Sequence, residues 1–377
     1  MLSVSDILDK LSPSPAKTER LGPIGLDFGM DSINLCQLKT QAGNRYSVVA
    51  KASIAYSGSR KELLSSPKIL KKQLSQALKK NAFTGRKVVA VMPADELKIT
   101  PVTYRSNTQS VDEEILKMLG ARLDGELGDY LIDYLPVRSN PGDEEHLVLA
   151  AIAQRDDVMS YLEALHRSGL VVDALDIGPA ALRRLICSLY NGKDAETILV
   201  INAGISKSYL TIISGRRLLF DQPVSFGEQM LVENLSSALE LPVDVCRDLM
   251  LHHGFEKTAT AQEMLSSIDG EDISQTLLEI IKPSFIKLVE EIKRVLIFTA
   301  SETHGSPVSR ICLLGSIARW SGADSLLHDL INIPLSTSQP GFSEIFEDQT
   351  SEGGWMERIP ELAIATGLAL RGISGHE

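Results

Sequence analysis

The chain has 377 residues, 44% of them apolar, which exceeds one ordinary domain and leaves room for a sizeable core. Its net charge of −11 excludes a nucleic-acid binder that works by neutralising phosphates. No run of about 18 apolar residues is present to span a membrane, and the four dispersed cysteines (Cys36, Cys187, Cys246, Cys312) form no CxxC, so they read as reduced, buried thiols.

Residues 1–20 have neither a basic start nor a continuous apolar core and do not read as a secretory signal. A short stripe (Val4, Ile7, Leu8, Leu11) runs into a Ser/Pro-rich stretch, and the segment is expected to be a flexible tail, with a docking helix as the alternative. Residues 24–35 read IGLDFGMDSINL. An apolar strand runs into Asp27, Gly29 follows, and a second apolar alternation begins. Such a turn holds a carboxylate and bare N–H groups at its tip, the parts of a phosphate and metal cradle. Residues 41–56 predict a third strand. Ser66-Pro67 opens a helix with Leu70, Leu74, Ala77 and Leu78 on its apolar stripe. Lys68, Lys71, Lys72, Lys79 and Lys80 fall on its solvated face. KVVAVM (87–92) is a short buried strand stopped by Pro93.

Residues 93–180 change rhythm. Strands are expected over 98–104, 130–137, 147–153 and 170–175. Helices are expected over 111–123, around Val158, Tyr161, Leu162 and Leu165, and from Pro179. The block reads as a compact α+β module, with a polar turn at 139–146. The opening pattern then returns: residues 199–210 read LVINAGISKSYL, which align with 24–35 at an offset of 175. Asn202 falls on Asp27, Gly204 on Gly29 and Leu210 on Leu35. A repeated strand–turn–strand implies two similar halves whose turns face one cleft. Beyond it come a hairpin turn at Gly215-Arg216-Arg217, a strand over 218–224, and a helix from Glu228. A long helix is expected to start at Pro283, followed by a buried strand over 310–314 entering Gly315-Ser316. A helix through Leu326 and Leu327 and an apolar small-residue helix over 361–370 close the chain.

Other motifs read plainly. His252-His253 lacks further ligands at metal spacing and reads as an exposed helix end. Asp112-Glu113-Glu114 and Glu290-Glu291 suit a helix dipole or a solvated face. Trp320 and Trp355 read as packing residues. Walker A, HExxH and GxSxG signatures are absent.

Strand–Asp-x-Gly–strand, strand–Asx-x-Gly–strand, strand–Gly–helix and a closing small-residue helix, in that order, resemble the actin-like ATPase fold. Within it the chain is similar to the PilM family of type IV pilus assembly proteins over roughly residues 21–372. The stretches GLVVDALDIGPAALRRL, EEHLVLAAIAQRDDVMSYLEALHRSGL and PELAIATGLALRG carry that resemblance. It implies an α/β, actin-like fold: two RNase H-like halves around a cleft, with an α+β module inserted in the first half. The implied organisation is a tail (1–20), a first half (21–84), an inserted module (85–180), a return to the first half (181–197), a second half (198–355, with an insertion near 228–300) and a closing helix (356–377).

The resemblance also implies a nucleotide site on Asp27, Gly29, Ser32, Asn34, Asn202, Gly204, Gly227, Gly315 and Ser316, with ATP and Mg²⁺ as cofactors and Asp27 towards the metal. Several positions depart from the family pattern. Asn34 stands where the family usually has lysine, and supplies a dipole in place of a charge. Asn202 stands where it usually has the aspartate that helps to order hydrated Mg²⁺. Gly227-Glu228 and Gly315-Ser316 each replace a glycine pair, and the ribose-contacting Glu and Lys align with Arg247 and Met250. The expectation is therefore a non-enzymatic scaffold with a degenerate nucleotide site, at most a weak ATPase. The family's partner would be a PilN-like inner-membrane protein, bound through its N-terminal cytoplasmic tail between the core and the module. Other pilus platform proteins would join it, with no nucleic acid and no direct membrane insertion, and the chain would sit in the cytoplasm at the inner membrane through its partners. The alternatives are an actin-like ATP-driven switch and, third, an FtsA-like division scaffold. Against the last, residues 362–371 lack a basic amphipathic helix.

Overall fold

A computed structural model describes residues 20–29, 32–41, 45–105, 110–138, 145–190, 196–255, 268–303, 305–336, 346–348 and 355–374. The expected tail, the tip of the first turn at Met30-Asp31 and most of the polar turn at 139–146 lie outside these residues, as does the side chain of Trp355.

Strands β1 (Leu21–Phe28), β2 (Ser32–Thr40) and β3 (Tyr46–Ala55) form an antiparallel meander. The short helix α1 (Arg60–Leu64), opened by a reciprocal Ser59/Glu62 capping box, and α2 (Pro67–Lys80) follow it. Strand β4 (Lys87–Val91) lies parallel to β1. Strand β5 (Leu97–Arg105), helix α3 (Val111–Gly120), strands β6 (Tyr130–Arg138) and β7 (Glu145–Gln154), and helix α4 (Arg155–Arg167) come next. Strand β8 (Val171–Asp176) then returns to pair parallel with β4. Helix α5 (Gly178–Leu189) leads to a second meander, β9 (Thr197–Ala203), β10 (Ser208–Ser214) and β11 (Arg217–Val224). Helices α6 (Glu228–Leu239), α7 (Val243–His253) and α8 (Ile268–Glu302) precede β12 (Arg310–Gly315), α9 (Ala323–Ile331) and β13 (Leu335–Ser336). Strand β14 (Phe346–Asp348) and α10 (Trp355–Ser374) end the described chain.

The two halves share one topology. The first sheet runs β14-β3-β2-β1-β4-β8 and the second β11-β10-β9-β12-β13. Even the register repeats: Asp27 pairs with Asn34 in β1/β2, and Asn202 pairs with Tyr209 in β9/β10, the same offset of 175 in both partners. The halves meet around α10, which packs against β1, α5 and β12. Its small residues allow that approach. A Cβ on Gly25 would lie 1.9 Å from the Ala365 carbonyl oxygen, and one on Gly367 would lie 2.1 Å from that of Ala181.

The block expected over 85–180 contributes strands to two sheets. Strands β4 and β8 fall inside those bounds yet pair in the first sheet, and only 97–154 forms a sheet of its own, ordered β5-β7-β6. A short apolar strand carries no mark of which sheet it will join, so its place is set by tertiary pairing. The central β7 is buried along its length, as its unbroken apolar run requires. One face of this sheet packs under α3 through Ile115 and Leu119. Val137, Leu147 and Leu149 join the core of the second half.

Helix α8 also departs from expectation, because Pro283 lies inside it and does not start it. A proline removes one N–H and crowds the preceding turn. Here Leu277 and Ile281 before it, and Phe285, Leu288 and Ile292 after it, are all buried, and that continuous apolar face carries the helix through. Helix α10 likewise starts before Pro360. Cys36, Cys246 and Cys312 are buried and Cys187 is half-buried, and none of the four is in a disulfide among the described residues. No helix among the described residues is long and apolar enough to cross a membrane.

Candidate functional site

Between the halves lies a cavity of about 530 Å³. Eight of the nine residues named from sequence line it: Asp27, Gly29, Ser32, Asn34, Asn202, Gly204, Gly315 and Ser316. Gly227 is not among the lining residues. It packs directly behind the second turn, where a Cβ would lie 2.4 Å from the Ile205 carbonyl oxygen. Of the two positions aligned with ribose contacts, Met250 is fully buried core and Arg247 is tied to Glu228 at 3.1 Å, and neither lines the cavity.

The first turn is built by its own backbone. The Gly29 N–H donates to the Ser32 carbonyl (2.9 Å), and the Tyr56 hydroxyl donates to the Gly29 carbonyl (2.6 Å). Across the meander Asp27, Asn34 and Ser53 are register partners. The Asn34 amide donates to Asp27 Oδ2 (3.4 Å) and its oxygen accepts from Ser53 Oγ (2.8 Å). Asn34 is thus engaged on both ends of its dipole by the sheet that presents it. Burial pushes the Asp27 carboxyl up to about 6, against the Asn34 hydrogen bond and the nearby Arg60.

The second turn follows the same plan. A Cβ on Gly204 would meet the Lys207 carbonyl oxygen at 2.4 Å. The Gly204 and Ile205 carbonyls accept from the Glu228 (3.1 Å) and Gln229 (2.9 Å) N–H groups. The first two amides of α6 therefore already have partners within the protein and are not free for an anion. Gly315 sits at φ +87°, with a Cβ position 2.2 Å from the Ala203 carbonyl oxygen, and Ser316 Oγ donates to that same carbonyl at 3.3 Å. Gly204, Gly227 and Gly315 are thus each required by backbone packing inside the chain, and a Cβ on Gly29 would lie 3.1 Å from the Ser32 carbonyl oxygen.

Sequence reasoning missed the charges that line the cavity beside this frame. Asp95, in the 3₁₀ turn at Ala94–Glu96, receives Arg60 Nη2 at 3.1 Å from the first half and Lys207 Nζ at 2.5 Å from the second. Burial works to raise the Asp95 carboxyl, but Lys207 and Arg60 outweigh it and hold it below the usual carboxylate range. Lys207 was within reach of the repeat, since it stands at the offset of 175 from Ser32. Asp221 on β11 accepts from Thr211 Oγ1 (2.6 Å), and burial raises its carboxyl to about 7. Glu361, at the far wall, pairs with Arg319 at 3.1 Å.

These groups bear on the fit of Mg²⁺ and a triphosphate. A triphosphate calls for uncommitted cations and N–H groups, and Mg²⁺ for an ionised carboxylate. Here Arg60 and Lys207 share Asp95, the α6 amides are engaged, and burial makes the ionised form of Asp27 costly, raising its carboxyl to about 6. No group of three or more potential metal-ligating side chains occurs among the described residues. The residues present fit the group poorly in this conformation. The Asp95–Lys207 bridge itself is half-exposed, and a double-mutant cycle with Asp95→Ala and Lys207→Ala should give a coupling of at most about 1 kcal/mol. A coupling several times larger would show a desolvated lock between the halves.

The family model described as type IV pilus assembly protein PilM matches residues 25–373. A solved "PilM-PilN type IV pilus biogenesis complex" is similar at a TM-score of 0.74 and 22% identity, covering 94% of this chain and 99% of that one. The ethanolamine utilization protein EutJ from Carboxydothermus hydrogenoformans superimposes at 0.54 and 11% identity, covering 94% and 90%. MreB5 of Spiroplasma citri bound to ADP does so at 0.51 and 12%, covering 92% and 94%. The expected actin-like fold is the fold observed.

Proposed function

The chain belongs to the type IV pilus assembly protein PilM family, and from that premise we propose that it is a scaffold of the inner-membrane assembly platform that binds the N-terminal tail of a PilN-like protein. One observation carries this reading. Among the described residues β5 and β6 are the two edge strands of the inserted sheet, each pairing as a strand with β7 alone. An unpaired strand edge offers a row of N–H and C=O groups to an extended segment, with side-chain pockets alternating along it. Leu131 on β6 is an exposed apolar anchor beside such an edge. In this reading the tail lies between the module and the core, and brings the chain to the cytoplasmic face of the membrane.

The cleft between the halves then serves as a joint, with a nucleotide site that has decayed. The engaged α6 amides, the cations shared by Asp95 and the burial cost of ionising Asp27 support that reading. Asp27 would face Mg²⁺, and Ser32, Asn34, Gly204 and Ser316 would approach phosphate and nucleoside, if ATP were held; no turnover step is assigned to them.

Calorimetric titration tests both parts. A synthetic PilN-type N-terminal peptide is expected to give saturable heat, and the same peptide N-methylated at alternate residues to lose it, because main-chain hydrogen bonds carry the contact. Absence of saturable heat with the unmodified peptide would refute the docking reading. Mg·ATP is expected to give no measurable heat, and tight binding would bring the ATP-driven switch forward.

A further inference from the structure

Helix α2 buries Leu70, Leu74, Ala77 and Leu78 and turns Lys68, Lys71, Lys72, Lys79 and Lys80 to solvent. At about 100° per residue, Lys68, Lys72 and Lys79 fall on one narrow stripe, flanked by Lys71 and Lys80. None of the five is in an ion pair among the described residues. From residue 63 to residue 94 the sequence holds these lysines, Arg86 and Lys87, and no acidic residue, in a chain whose net charge is −11. Among the described residues the run finds a counter-charge only at its end, where Lys87 meets Asp173 at 3.7 Å. Like charges three and four positions apart repel along a helix, so the stripe is an unfavourable arrangement in isolation.

We infer that the exposed face of α2 is an electrostatic contact for an anionic lipid bilayer, which orients the protein on the membrane without inserting into it. The chemistry of the face selects this partner over a folded acidic protein. The face is a convex helix whose cations are all lysines, point charges on long flexible stems. It carries no arginine fork and no aromatic anchor of the kind that concentrates protein–protein binding energy. A fluid layer of mobile phosphates satisfies such a stripe without fixing any side chain. The acidic remainder of the molecule does not forbid the approach, because its field is screened beyond about 8 Å in physiological salt. The exposed Ile69, beside Lys68 and Lys72, adds apolar area at headgroup depth. This contact is separate from the tail-binding reading, and either can fail alone.

Vesicle flotation of the full-length protein is the test. Binding is expected to vesicles of equal parts phosphatidylglycerol and phosphatidylcholine, to weaken steeply with added salt, and to vanish on phosphatidylcholine alone. Each lysine near the surface is worth about fivefold in affinity. The variant K68E/K72E/K79E should therefore lose at least about a hundredfold. All three side chains are exposed and in no ion pair among the described residues, so folding should be kept. K293E, on the exposed face of α8, should bind like wild type. Failure to float with anionic vesicles at low salt would overturn the inference. So would binding that the triple variant leaves unchanged, or preference for a polyglutamate competitor over lipid at equal charge.

Discussion

Replacing Asp176 by alanine is expected to cost about 3–5 kcal/mol of folding stability, among the largest single losses this fold can show. The carboxylate is 6% exposed at the end of β8. Its Oδ2 accepts from Arg184 of α5 at 2.9 Å and lies 3.1 Å from Arg371 of α10, and its Oδ1 accepts from the Ile177 N–H at 2.8 Å. Arg184 also donates to the Gly367 carbonyl (3.0 Å) and Arg371 to that of Leu175 (3.0 Å). Removing the acid would leave two mostly buried guanidinium groups facing each other without a counter-charge. The cost is that of the stranded cations more than of the lost attraction. Chemical denaturation at neutral pH would measure it. A double variant, Asp176→Ala with Arg184→Ala, should recover part of the loss, whereas a single variant within about 1 kcal/mol of wild type would refute the account. The consequence reaches the joint, because α5 and α10 pack against each other and against strands of both halves.

The sequence disclosed the frame of the cleft and concealed its charges, for a physical reason. A strand–turn–strand leaves a local signature: an alternating apolar run, a short polar residue, a glycine where no Cβ fits. Both copies, at Asp27-Gly29 and Asn202-Gly204, were therefore visible, and their identical register could be anticipated from a single offset. The Arg60–Asp95–Lys207 cluster joins a short helix, a 3₁₀ turn and the second turn, segments that nothing local connects. The parallel pairing of β4 with β1, and of β14 with β3, was hidden for the same reason. Pro283 misled in the opposite sense. Its local rule is to start or break helices, and the buried stripe on both sides of it overrode that rule.

Replacing Asp27 by asparagine is expected to stabilise the protein at neutral pH, by up to about 3 kcal/mol, from a shift of about two pH units at 1.36 kcal/mol each. The carboxyl is 8% exposed, and burial raises it from 3.8 to about 6 against the Asn34 hydrogen bond and Arg60. The native state therefore holds its proton over a range in which the unfolded chain has released it. Stability carried by this group is fully present below about pH 4 and is lost as pH rises to about 6, because there the native state binds more protons than the unfolded state. The substituted amide cannot titrate, so the variant should lose that slope and keep the neutral-form stability throughout. Denaturation midpoints of both proteins between pH 4 and pH 8 would show it, and a variant less stable at pH 7 with an unchanged slope would overturn it. The same pair of proteins separates the readings of the cleft. A bound cation would favour the ionised form of Asp27 and compensate for its burial, so Mg·ATP would stabilise wild type and not the variant. In a decayed site Mg·ATP moves neither midpoint, and Asp27 stays a carboxyl that the surrounding sheet holds at a cost.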